Sequence, residues 1–207
     1  MLEYYIFNKP RGCITARRDP RHKTVMDYFP DEKREELFPV GRLDRDTEGL
    51  LLVTNDGRLC YDLLTPQKLV EKTYFFWALG ELNEEEKNKI ESGVNIYKND
   101  SFVTSPAKIK IISASTIKEI EEKLSSEDKK LAKRRPSLSV FSGEITITEG
   151  KKHQVKRMIG YAGCRVVYLK RLSVAGLVLD EKLDTGCYRE LTEDEISKLR
   201  KLQVCKL

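Results

Sequence analysis

The segment Gly41-Arg42-Leu43-Asp44-Arg45-Asp46-Thr47-Glu48-Gly49 sets Asp44, Asp46 and Glu48 among Arg42 and Arg45, immediately before the apolar run Leu50-Leu51-Leu52-Val53. The run predicts a buried strand over residues 50–53. A charged loop at the mouth of a buried strand holds its side chains at a fixed height, which suits catalysis. Arg42 and Arg45 flank Asp44, so they can favour its ionised form and contact phosphates. The spacing D-x-D-x-E-G also begins like a calcium loop. Counted from Asp44, however, position twelve is Asn55 where a bidentate glutamate is needed, and apolar residues fill ligand positions. A solvated turn, with the acids paired to Arg42 and Arg45, stays open as a reading of these residues alone. Asn55-Asp56-Gly57 reads as a turn, or the start of a helix, without chemistry.

A second group lies near the C-terminal third. Residues 153–162 predict a helix on which Val155, Met158, Ile159 and Ala162 share one face. His153, Lys156 and Arg157 fall on the other side, where they can meet an acid or an RNA backbone; an ordinary solvated face is the plain alternative. Tyr74 alternates with Phe76 in a strand predicted over residues 72–79. That pattern usually means core, although a tyrosine keeps a hydroxyl that can face a cleft. The basic run over residues 129–135 reads as a solvated loop or an RNA contact.

The elements that must position these residues mix strands and helices without regular βαβ alternation. Strands are predicted at residues 4–7, 50–53, 72–79, 107–112, 144–148, 166–169 and 172–179. Helices are predicted near residues 24–29 and over 58–64, 83–92, 116–124, 153–162 and 193–202. Asn83 is the expected N-cap of the third helix, and Gly163 the stop of the fifth. Residues 125–139 read as a loop or connector. Hairpin-like pairs dominate, so the expected class is α+β with a mixed, mostly antiparallel sheet. No internal repeat or firm domain boundary is visible, and residues 1–207 are expected to form a single domain, built on one core or in two lobes.

The composition is that of a globular enzyme, with 40% hydrophobic and 34% charged residues, and a net charge of +5 permits an anionic partner. Cys13, Cys60, Cys164, Cys187 and Cys205 are scattered and odd in number, which argues against a disulfide framework or zinc site. His22 and His153 are the only histidines. No signal peptide or membrane span is visible, so a cytoplasmic location is expected.

The segment Gly41–Gly57, GRLDRDTEGLLLVTNDG, closely resembles the signature of the RsuA-type branch of the pseudouridine synthases. Tyr4–Gly12, YYIFNKPRG, resembles that family's first motif. Glu71–Gly80, EKTYFFWALG, is similar to its second, and Glu149–Arg171, EGKKHQVKRMIGYAGCRVVYLKR, to its third. Four ordered motifs across nearly the whole chain make the match specific.

The resemblance implies the pseudouridine synthase catalytic fold with flanking helices and a central cleft, and isomerisation of a uridine in ribosomal RNA or a pre-ribosomal particle. By the motif positions, Asp44 is the catalytic carboxylate, Tyr74 lies against the target base, and Lys156 pairs with Asp44. Lysine gives this pairing a point charge instead of a fork. Lys9, Arg11, Arg42, Arg45, His153, Gln154 and Arg157 are expected to bind RNA. The reaction breaks the C1′–N1 bond, turns the base and rejoins it through C5, which requires an unpaired or flipped nucleotide. Whether Asp44 attacks C1′ or takes a proton from C2′ stays open. No cofactor or metal is expected, and a monomer is expected.

Many RsuA-type enzymes carry a small RNA-binding domain ahead of the first motif; the motif begins here at Tyr4, so that domain is expected to be absent. The second and third motifs look more like those of the small-subunit branch, which points to 16S rRNA. A 23S rRNA target, or a non-catalytic RNA-binding or assembly factor on the same fold, are the alternatives. A hydrolase using Asp44 and His153 lacks any nucleophile elbow.

Overall fold

The structure is a computed structural model that describes residues 1–97 and 102–204. In chain order its strands and helices are β1 (Tyr4–Lys9), α1 (Asp31–Arg34), β2 (Phe38–Val40), β3 (Glu48–Thr54), α2 (Gly57–Leu64), β4 (Lys72–Leu79), α3 (Glu84–Ser92) and β5 (Lys108–Thr116). They continue with α4 (Ser126–Arg134), β6 (Ser139–Ile147), α5 (Gln154–Tyr161), β7 (Arg165–Val174), β8 (Leu177–Val178), β9 (Tyr188–Glu190) and α6 (Glu193–Val204). The chain divides into two compact units, Met1–Lys72 with Lys170–Leu207, and Thr73–Leu169. The class is the expected α+β, with mixed, mostly antiparallel pairing.

In the first unit β1 pairs antiparallel with both β3 and β9, and β2 pairs antiparallel with β3. The end of β7 runs parallel to β3, with Glu48 opposite Lys170 and Gly49 opposite Arg171. Every residue of β1 is buried, because a strand with neighbours on both edges and cover on both faces shows no alternation. One cover is aliphatic: Ile6, Leu50 and Leu52 pack with Leu59 and Leu63 of α2 and Leu199 of α6. The other is aromatic, with Phe29 stacked on Tyr188 at 4.2 Å and Tyr5 edge-on to both rings. Asp56 is the N-cap of α2, its carboxylate accepting from the Leu59 amide, so Asn55-Asp56-Gly57 starts a helix and is not a hairpin turn.

In the second unit the strand order is β5-β6-β4-β7. Tyr74, Phe76 and Ala78 of β4 point to one face and are buried. Gly143 of β6 leaves room for the Phe76 ring, which would lie 2.8 Å from a Cβ added there. Asn83 caps α3 with a full capping box to Glu86. On α5, Val155, Met158 and Ile159 are buried as their spacing predicts.

Three segments differ from expectation. The strands expected at residues 166–169 and 172–179 are one continuous strand, β7, followed by the short β8. Residues 116–124 are not a helix: β5 runs to Thr116, and a turn leads into a 3-10 turn at Glu121–Lys123. The spacing of Ile117, Ile120 and Leu124 mimics a helical face, but these residues bury together in a compact turn. Residues 125–139 are not a plain loop, because Ser126–Arg134 form α4. The Ser125 hydroxyl accepts from the Asp128 amide as N-cap, and Leu131 and Ala132 supply a narrow apolar stripe.

Candidate active site

The Asp44 loop is fixed from two sides within the first unit. Asp44 opens a tight turn in which its carbonyl accepts from the Thr47 amide at 3.1 Å. Lys9, at the end of β1, is fully buried beneath that turn. Its ammonium donates to the carbonyls of Asp44 at 3.1 Å, Thr47 at 2.9 Å and Pro10 at 3.0 Å. Burial pushes the Lys9 pKa down, and the nearby acids Asp46, Glu48 and Asp44 act against that shift. Lys9 is expected from the sequence on the RNA side; the structure places it under the Asp44 loop, where three carbonyls satisfy its three donors.

The second support is the segment after β1. The buried hydroxyl of Thr15 donates to the Leu43 carbonyl at 2.8 Å and accepts from the Leu43 amide at 3.1 Å. The Gly12 amide donates to the Arg45 carbonyl at 2.8 Å, and Arg45 Nε returns a bond to the Gly12 carbonyl at 3.1 Å. Both neighbours of Asp44 are therefore tied down, while Asp44 itself is half-buried. Arg11 Nε lies 3.3 Å from Glu48. Arg42 and Arg45 are exposed, as are Arg17, Arg18, Arg21 and Lys23 on the supporting segment.

Gly49 is required just beyond the loop. Its φ is +101°, and an added Cβ would collide with the Arg171 carbonyl and lie 2.8 Å from the Arg171 amide nitrogen. The close approach lets the buried Arg171 donate through Nε to the Leu50 carbonyl at 2.7 Å. Thr15 and Arg171 were not singled out in the sequence. For Arg171 a signal exists, a cation inside the strand run Val166-Val167-Tyr168-Leu169-Lys170-Arg171-Leu172; for Thr15 there is none.

In the second unit, Tyr74 is 8% exposed on β4. Helix α5 begins at His153, which is exposed and adopts a left-handed conformation with φ of 55°. Gln154, expected to bind RNA, is buried. Its Oε1 accepts from the Lys151 amide at 2.8 Å, and its Nε2 donates to Glu149 at 2.7 Å. Glu149 in turn accepts from the Ser105 amide at 2.9 Å. Gln154 thus anchors the first turn of α5, to which the half-buried Lys156 and Arg157 also belong. The Arg157 guanidinium sits 4.4 Å above the Tyr97 ring.

Among the described residues, no group of three or more His, Cys, Asp or Glu is arranged to hold a metal ion, and no helix is long and apolar enough to cross a membrane. Cys13, Cys60, Cys164 and Cys187 are free thiols; Cys205 lies outside the described residues.

Comparison with known proteins adds sequence-wide similarity to these local arrangements. The family described as RNA pseudouridylate synthase matches residues 3–160. An uncharacterised RNA pseudouridine synthase of Bacillus subtilis, YtzG, is 41% identical over 97% of this chain and 74% of its own length. The ribosomal small subunit pseudouridine synthase A of Yersinia pestis is 32% identical over 95% of this chain and 72% of its own. A crystal structure of a pseudouridylate synthase superimposes with a TM-score of 0.78 at 32% identity, covering 96% of this chain and 74% of that one.

Proposed function

Because the chain belongs to the RNA pseudouridylate synthase family, we propose that this RNA pseudouridine synthase acts on ribosomal RNA, on a uridine of the small-subunit 16S RNA, with Asp44 as its catalytic carboxylate. The observation that carries the site assignment is the double fixation of the Asp44 turn by Lys9 and Thr15. A carboxylate that must meet one atom of a sugar gains from a backbone that does not move, since small misplacements are costly in rate. The small-subunit target is supported by the name and 32% identity of the Yersinia pestis relative and by the resemblance of the second and third motifs to that branch.

Asp44 acts on the sugar of the flipped uridine. Tyr74 and Lys156 keep the roles that the motif correspondence gives them, against the base and in support of the carboxylate. Exposed Arg42 and Arg45, with Arg17, Arg18, Arg21 and Lys23 on the segment hydrogen-bonded to the loop, supply cations for the phosphates on either side of the target. Lys9 and Gln154 take the part of positioning residues. The protein works as a cytoplasmic monomer, and its residues 1–207 act as a single catalytic domain.

Pseudouridine-specific sequencing of ribosomal RNA from cells with and without the gene tests this reading. One 16S position that loses its modification in the deletion strain is the expected result. A modification lost only from 23S rRNA would move the target, and unchanged ribosomal RNA would overturn the reading.

A further inference from the structure

Within the second unit, β5 and β6 form an antiparallel pair that ends with Thr116 opposite Ser139. Ordinary hairpins turn in roughly two to five residues. Here residues 117–138 intervene and build a substructure of their own. Ile117, Ile120, Leu124 and Ala132 bury with Val140 and Val167, and Leu131 and Leu138 pack against them. Helix α4 is fixed in this substructure by Asp128, which accepts from the Ser125 hydroxyl and from Arg165, each at 2.7 Å. A connection of this length with a core and an ion-paired anchor is a folded platform and not an open loop.

Its charge is uneven along the chain. Up to Asp128 the acids Glu119, Glu121, Glu122, Glu127 and Asp128 alternate with Lys118 and Lys123; from Lys129 on only Lys129, Lys130, Lys133, Arg134 and Arg135 are charged, and no acid appears again before Glu144. Lys130, Lys133, Arg134 and Arg135 are exposed. Among the described residues, no ion pair involves these four; Glu121, the acid facing Lys129 and Lys133, is itself paired with Lys118. Lys129 with Lys133, and Lys130 with Arg134, stand four residues apart on the helix, a spacing at which like charges repel. Cations near a helix C-terminus are favourable to its dipole, but that accounts for one or two of them and not for an uninterrupted cluster. Repulsion of this kind is relieved when a polyanion covers the face.

We propose that the C-terminal end of α4, through Lys130, Lys133, Arg134 and Arg135, is a second docking surface for the phosphate backbone of ribosomal RNA. It recruits the RNA through its backbone and takes no part in the chemistry. The proposal rests on ribosomal RNA being the substrate and adds where that RNA is gripped. The four side chains are flexible and exposed, so recognition is by phosphate charge and is insensitive to base sequence.

The test compares the full chain with a variant carrying Lys130→Gln, Lys133→Gln, Arg134→Gln and Arg135→Gln, and with a charge-preserving Lys130→Arg, Lys133→Arg control. Binding to in vitro transcribed 16S rRNA is measured as a function of salt, and turnover on the same RNA is followed in parallel. The glutamine variant should bind at least tenfold more weakly at low salt, and the slope of log K against log salt should fall by about 3. Its KM should rise with kcat unchanged, and the arginine control should behave like the wild type. An unchanged affinity and slope would overturn the proposal. So would a loss seen only on ribosomal particles and not on naked RNA, which would assign the surface to a protein partner. A wild-type chain that binds 16S rRNA through this surface but leaves it unmodified would refute the target reading and not the docking surface.

Discussion

The buried ammonium of Lys9 lies 3.1 Å from the carbonyl oxygen of Asp44 and 2.9 Å from that of Thr47, so it clamps both ends of the turn that presents the Asp44 carboxylate. Lys9→Met keeps the length of the side chain and removes the three donated bonds. The expected result is a stability loss of about 2 kcal/mol, the cost of stranding buried carbonyls less the relief of an unburied charge. A fall in kcat larger than the rise in KM accompanies it. Chemical denaturation and steady-state kinetics at a temperature where the variant is folded separate the two effects.

Gly49→Ala is the most damaging small change near the site. The methyl group would enter the backbone of Arg171 at a position where φ is +101°, so either β3 or β7 must shift. A loss of about 3 kcal/mol or more is expected, read as a lower denaturant midpoint. A Gly57→Ala control, where nothing lies within 4 Å, should leave the midpoint nearly unchanged.

Lys156 lies in the first turn of α5, two residues beyond the buried Gln154 anchor. Lys156→Met should lower kcat by roughly a hundredfold, as removal of one electrostatic contributor commonly does, with RNA affinity changed only a few-fold. Lys156→Arg should retain most of the rate. Equal rates for Lys156→Met and the wild type would remove this residue from the reaction.

Acid stability depends on a clasp between β9 and α6. Arg189 donates to both oxygens of Glu195 at 2.8 Å, and this pairing, helped by the Thr192 amide, holds the Glu195 pKa down from 4.5 to about 2. A carboxyl whose folded-state pKa is depressed stabilises the fold fully above pH 4.5 and ceases to do so as pH falls toward 2. Glu195→Gln should therefore cost stability at pH 7 and flatten the loss between those two pH values. Arg189 is 30% exposed, so solvent screening keeps the effect to about 1–2 kcal/mol. Melting curves recorded from pH 7 to pH 2 measure it.

The sequence made legible what short-range patterns control. The aromatic run 72–79, the Asn83 N-cap, the apolar face of α5 and the Gly163 stop all appear where spacing places them. Two neighbouring segments were misjudged because the cues there are tertiary. Ile117, Ile120 and Leu124 imitate helix spacing yet pack as a turn, and α4 shows only a narrow apolar stripe under many lysines. At the site, the Asp44 loop was visible from composition and motif. Its supports were not: Lys9 looked like a surface cation until strand register set it opposite Gly49, and Thr15 lies 28 residues from the backbone groups it holds.

The most direct test replaces one atom. Asp44→Asn preserves the size of the side chain and removes the carboxylate to which the proposed mechanism assigns the chemistry. Pseudouridine formed per enzyme on in vitro transcribed 16S rRNA, measured beside RNA affinity, should fall below detection while affinity stays within a few-fold of wild type. Pseudouridine formation at a wild-type rate in that variant would contradict the account.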